Sequence, residues 1–90
     1  MPKKRVAQPL IRMYSTTWCG DCRRSKRFLE AHHIPFEEIN IEEDPQAAQI
    51  VLSLNHGMRS VPTIVFPDGS VLVEPSNMTL ASKLGIKLQG

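Results

Sequence analysis

The sequence predicts a small α/β domain, a four-stranded mixed sheet flanked by three helices in the order βαβαββα. Three observations predict it. Short β-prone runs alternate with helical patterns in the first half of the chain, a tight turn joins two strands in the second half, and Pro and Gly fall at the boundaries. Ninety residues with 41% apolar content and a formal net charge of +2 describe one ordinary globular domain. We read residues 1–8 as a flexible basic extension and 9–90 as the domain.

Leu10-Ile11-Arg12-Met13-Tyr14 is the first strand, ended by Ser15-Thr16-Thr17. From Gly20 to about His32 no proline or further glycine intervenes. Cys22, Ser25, Leu29 and His32 share one helical face, Phe28 widens it, and Arg23, Arg27 and Glu30 lie opposite. Pro35 marks the return, and Phe36 to Ile41 alternates as a strand does. A strand, a helix and a strand within about 30 residues imply a right-handed crossover and a parallel pair.

Asp44 is a good N-cap with Pro45 at the first helical position, and Ala47, Ala48, Val51, Leu52 and Leu54 form the apolar side of the second helix. Asn55, His56 and Gly57 stop it. Ser60 to Phe66 reads as a strand, Pro67-Asp68-Gly69-Ser70 as a turn and Val71-Leu72-Val73 as the returning strand. Ser76 or Asn77 caps a last helix bearing Leu80, Ala81 and Leu84, closed by Gly85.

The chemistry centres on Cys19 and Cys22. No apolar run approaches the roughly 20 residues that span a bilayer, and no secretory h-region follows the basic start, so a cytoplasmic location without membrane contact is expected. In a reducing compartment a disulfide is usually transient and chemical, and a two-residue spacing closes too short a loop to staple a fold. At a helix start, side chains three apart can form and reopen a disulfide. Free N–H groups and the helix dipole there favour a Cys19 thiolate, with a pKa expected below the free value of roughly 8.5. Cys19 is therefore expected as the exposed attacking sulfur, and Cys22 as the inward thiol that resolves the mixed disulfide.

The neighbours fit that use. Trp18 can cover one side of the sulfur or simply cap the apolar surface, and Gly20 permits the close turn. Asp21 opposes a nearby thiolate, which Arg23 and Arg24 can offset. Arg23 can pair with carboxylates of a small thiol or an acidic partner, whereas Lys26 and Arg27 read as solvated charges. Val61-Pro62 opens a strand; a cis bond there would leave the Val61 backbone free to pair with an extended substrate.

Other uses of these residues fit less well. Zinc wants four ligands, and there is no second cysteine pair; His32 and His33 are adjacent, and His56 is remote. Nucleic acid would call for aromatic ladders and a broad basic stripe, which are lacking beyond the Lys3-Lys4-Arg5 cluster. Asn77-Met78-Thr79 fits a glycosylation sequon that is accidental in a protein that is not secreted.

Thr16-Thr17-Trp18-Cys19-Gly20-Asp21-Cys22, then Arg59-Ser60-Val61-Pro62-Thr63-Ile64 and Asp68-Gly69-Ser70, resemble the glutaredoxin family, most of all its actinobacterial mycoredoxin-type branch. The resemblance runs from about Leu10 to Leu84. It implies a thioredoxin fold, Cys19 as nucleophile, Cys22 as resolving thiol and Pro62 in the cis form. It further implies a groove for a low-molecular-weight thiol around Val61, Thr63 and the Asp68-Gly69-Ser70 turn, with Gly69 and Ser70 near the thiol's charged end. No bound cofactor is expected here. Such proteins reduce oxidised proteins or protein–thiol mixed disulfides and are recycled by mycothiol, bacillithiol or glutathione; a related branch is recycled by a flavin-dependent reductase and feeds ribonucleotide reductase. Asp21 stands where these proteins commonly have Tyr, and the familiar Gly-Gly pair is represented only by Gly69. A monomer is expected, and the alternative reading is a noncatalytic thioredoxin-fold binding or metal-carrying module.

Overall fold

Local chemistry sets each element of the computed structural model, which describes residues 10–88; the basic extension lies outside the described residues. The elements are β1 (Ile11–Ser15), α1 (Gly20–Ala31), β2 (Phe36–Asn40), α2 (Pro45–Leu54), β3 (Thr63–Val65), β4 (Val71–Val73) and α3 (Asn77–Leu84). The sheet runs β2-β1-β3-β4. β1 and β2 are parallel through the α1 crossover, and the two other pairings are antiparallel.

The caps follow the residues that announce them. The Asp44 carboxylate accepts from the Gln46 and Ala47 N–H groups at 3.1 Å. The Ser76 hydroxyl accepts from the Thr79 N–H at 3.1 Å, and Gly85 leaves α3 in the left-handed region at φ 70°.

Burial of one stripe of each element builds two adjoining apolar clusters. Met13, Leu29, Ile64 and Leu80, each 0% exposed, lie at the heart of one with Phe28 and Phe66. Tyr14, Ile41, Ala47 and Val51 form the other under α2. α1 buries Cys22, Ser25, Phe28 and Leu29 as its periodicity requires. His32 departs from that stripe: it is the exposed C-cap, its ring 4.5 Å from that of Phe28. The helix ends before the next turn could carry His32 inward.

Strand lengths also depart from expectation. β1 runs one residue further, because Ser15 pairs with Asn40. β3 begins only at Thr63, since Pro62 has no N–H to give a ladder. The hairpin turn is held by Asp68, which accepts from the Ser70 N–H and hydroxyl and pairs with Lys83 at 2.6 Å. The Lys83 contact, followed by those from Ser70, holds the Asp68 carboxyl well below the usual carboxylate range.

Candidate functional site at the start of the first helix

The sheet register gathers the site. Tyr14 pairs with Thr63 and Thr63 with Val73, so the end of β1, the entry to β3 and the end of β4 lie side by side. Three loops meet there: residues 16–19, 57–62 and 74–76. Arg24 on α1 donates to the Pro75 carbonyl at 3.2 Å, tying the helix to the third of them.

Cys19 is the N-cap of α1, its Sγ accepting from the Cys22 N–H at 3.0 Å. The two cysteines are joined as a disulfide with Cα atoms 5.2 Å apart. Cys19 Sγ also lies 3.7 Å from the Val61 carbonyl oxygen, and Val61-Pro62 is cis. Cys19 is only 6% exposed, against 2% for Cys22, which corrects the expectation of an exposed outer sulfur. Its N-cap position tucks the sulfur between the first helical turn and the Val61 carbonyl. The N-cap contact places a backbone N–H on the sulfur, where negative charge is favoured.

Trp18, read as covering one side of the sulfur or as capping the apolar surface, stands 68% exposed. Its indole N–H donates to Glu42 Oε2 at 2.9 Å, while the Thr17 hydroxyl and N–H reach Glu42 Oε1 at 3.3 and 3.5 Å. The Trp18 contact first, then those of Thr17 and the charge of Arg59, lower the Glu42 carboxyl from its ordinary value. Asp21 pairs with Arg24 at 3.2 Å, so Arg24 offsets the acidic first turn, while Arg23 is exposed. Lys26 is not merely solvated: it pairs with Glu38 on β2 at 3.0 Å, and that contact raises its pKa.

The remaining expected groove residues separate. Val61 and Pro62 are at the dithiol. Thr63 follows them, but its side chain is fully buried and spent internally, accepting from Asn55 Nδ2 at 2.9 Å and donating to the Ser60 carbonyl at 2.7 Å. Gly69 and Ser70 do not join the site. They lie beyond Val65 and Val71, at the opposite end of the hairpin from the Thr63–Val73 pair, roughly 10 Å along the strands. A turn between antiparallel strands cannot sit beside the residue that opens the first of them. The segment that returns to the dithiol is the one after β4: the Glu74 N–H donates to the Pro62 carbonyl at 2.8 Å, with Glu74 at φ 49°.

Glu42 and Glu74 are therefore the site neighbours that sequence reading missed. Glu42 carried a usable signal, since it follows β2 at the end of the parallel pair where β1 releases Cys19. Glu74 became visible only once the hairpin register was known.

Among the described residues, no group of three or more His, Cys, Asp or Glu side chains is placed to hold a metal ion, and no helix is long and apolar enough to cross a membrane.

A family model described as Glutaredoxin matches residues 11–72. The chain is 44% identical over 80 residues to a Mycobacterium tuberculosis protein named for its likeness to glutaredoxins, covering 89% of this chain and 94% of that one. It is 30% identical over 74 residues to Mycoredoxin 1 of Corynebacterium glutamicum, covering 82% and 91%. The crystal structure of a thioredoxin-like protein superposes with a TM-score of 0.71 at 28% identity, covering 80% and 96%.

Proposed function

The chain belongs to the glutaredoxin family, and we propose that it is a thiol–disulfide oxidoreductase that reduces mixed disulfides between proteins and a low-molecular-weight thiol. The observation that carries this reading is the Cys19 sulfur, capping α1 and facing the Val61 carbonyl beside cis Pro62. In it the Cys19 thiolate attacks the substrate's disulfide and becomes part of a mixed disulfide. Cys22 then attacks Cys19 Sγ, the internal disulfide closes, and the second thiol leaves. Val61 offers backbone groups to the incoming chain, Trp18 a flat exposed surface, and Arg23 a cation.

Among the small thiols, mycothiol is the one we assign. The likeness to Mycoredoxin 1 supports it. So does the Glu42 carboxylate, which Trp18 and Thr17 hold at the approach to Cys19. A carboxylate there suits a thiol built on uncharged sugars better than glutathione or bacillithiol, which carry carboxylates of their own.

The test supplies a protein mixed disulfide made with each of the three thiols and follows its reduction by wild type, Cys19→Ser and Cys22→Ser. Turnover is expected to vanish in Cys19→Ser and to be highest with the mycothiol adduct. Turnover by wild type no faster than by Cys19→Ser overturns the enzyme reading and leaves a binding module. Preference for the glutathione or bacillithiol adduct overturns only the assignment of the thiol.

A further inference from the structure

A cavity lies beside the dithiol, on the side of the resolving cysteine. It is open to solvent, has a volume of about 430 Å³ and is lined by Cys22, Thr16, Arg23, Lys26, Glu38 and Glu43 among others. Its lining is as polar as it is apolar, and it is large enough for water. Thr16, which also lines it, has a buried Oγ1 with no hydrogen-bond partner among the described residues.

Glu38 is held in this wall from two sides. Ser15 donates its hydroxyl to Glu38 Oε2 at 3.0 Å, and Lys26 Nζ lies 3.0 Å from Oε1. Lys26 stands one helical turn beyond Cys22, on the same face of α1. Glu38 projects from β2, which pairs with β1 at Met13. Glu38 and Cys22 thus line one cavity, and Ser15 and Lys26 fix the carboxylate's orientation.

Cys22 needs such a group. At 2% exposure it is withdrawn from water, which disfavours the charged thiolate over the neutral thiol. The resolving step nevertheless requires a thiolate nucleophile. Of the other charged groups facing the cavity, Arg23 and Lys26 on α1 cannot accept a proton. Glu43, in the turn after β2, makes no side-chain bond among those found in the described residues that would fix it.

We infer that Glu38 is the proton acceptor for Cys22, through water in this cavity, with Lys26 and Ser15 as its positioning residues. This rests on the proposed dithiol chemistry. The Cys22 thiol gives its proton through water to Glu38. The sulfur's electron pair forms the bond to Cys19 Sγ, the bond from Cys19 to the substrate sulfur breaks, and the departing thiolate takes a proton from solvent. General-base assistance through one water is a known geometry and contributes on the order of a hundredfold or more.

The test uses the full reduced chain and an aromatic disulfide reagent that releases a coloured thiolate at each step. The first release, first order in reagent and second order overall, reports attack by Cys19; the second, independent of reagent concentration, reports attack by Cys22. In Glu38→Gln and Glu38→Ala the first release is expected to stay within about twofold of wild type, and the second to slow by at least about tenfold at neutral pH. The slowed step should climb steeply with pH, because only spontaneously ionised Cys22 then reacts. Added formate should restore the second release in Glu38→Ala, where it can occupy the emptied wall, and not in Glu38→Gln. An unchanged second release, an equal slowing of both releases, or no rescue by formate overturns the assignment of Glu38. Absence of the first release in wild type overturns the dithiol reading itself.

Discussion

The Trp18 indole N–H donates to Glu42 Oε2 at 2.9 Å, and this bond links the loop before Cys19 to the segment that follows β2. Thr17, next to it, uses its hydroxyl and its N–H on the other oxygen of the same carboxylate. One exposed acid therefore fixes the approach to the nucleophile from two consecutive residues. The aromatic surface faces outward.

Trp18 is the only tryptophan, so its fluorescence reports this contact directly. The contact lowers the Glu42 pKa below its ordinary 4.5, with the Trp18 bond as the largest cause. A depressed folded-state value means that the contact's contribution is fully present above about pH 4.5 and is lost as pH falls through the lower folded-state value. An acid titration of Trp18 emission is expected to show a transition below 4.5 that disappears in Glu42→Gln. A transition retained in that variant would assign the effect to another group.

Asp21 places a carboxylate in the first turn beside Cys19, and Arg24 pairs with it at 3.2 Å. Asp21→Asn should raise the alkylation rate of Cys19 at neutral pH and low salt by about twofold, the size of a solvent-screened like-charge contact. Arg24→Met should act in the opposite direction by leaving Asp21 unpaired. Measurement in a Cys22→Ser background isolates Cys19, and equal rates in all three proteins would rule out electrostatic control from this turn.

Gly69 occupies φ 88° in the hairpin turn, with open space where a Cβ would go. Gly69→Ala is thus expected to lose about 1 kcal/mol through backbone strain alone, measurable by denaturant unfolding. Because the turn stands at the far end of the hairpin, the reduction of a mixed disulfide should be unaffected. Glu42→Gln, at the approach to Cys19, should instead lower KM for a carboxylate-bearing mixed disulfide while leaving kcat unchanged. The reverse pattern would return the thiol site to the turn.

Thr63 is 0% exposed and serves both Asn55 and the Ser60 carbonyl through one hydroxyl. Thr63→Val keeps the shape and strands both partners, a loss of about 1–3 kcal/mol. Ser60 is two residues from Pro62, so the loop facing Cys19 should loosen with it. Faster amide exchange across residues 58–61 is the expected signature, and unchanged protection there would show that the loop is held by other contacts.

The legibility of the fold follows from how local its causes are. Asp44-Pro45 set the start of α2, Ser76 capped α3, and Cys22, Ser25 and Leu29 marked the buried face of α1, because caps and helical periodicity depend on residues a few positions apart. His32 obeyed the same period on paper and escaped it because the helix stopped first.

The sequence by itself determined the elements, the dithiol at the first turn of α1 and the family resemblance, all of which rest on short-range spacing. Only the tertiary structure decided what surrounds the dithiol. Antiparallel pairing of β3 with β4 sends Gly69 and Ser70 to the far end and brings Glu74 to Pro62. Parallel pairing of β1 with β2 sets Glu42 under Trp18 and Glu38 beside the cavity of Cys22. These are contacts across 12 to 24 residues of chain. Strand register fixes them, and register is a property of the assembled sheet, in which shared burial of the two clusters selects one pairing.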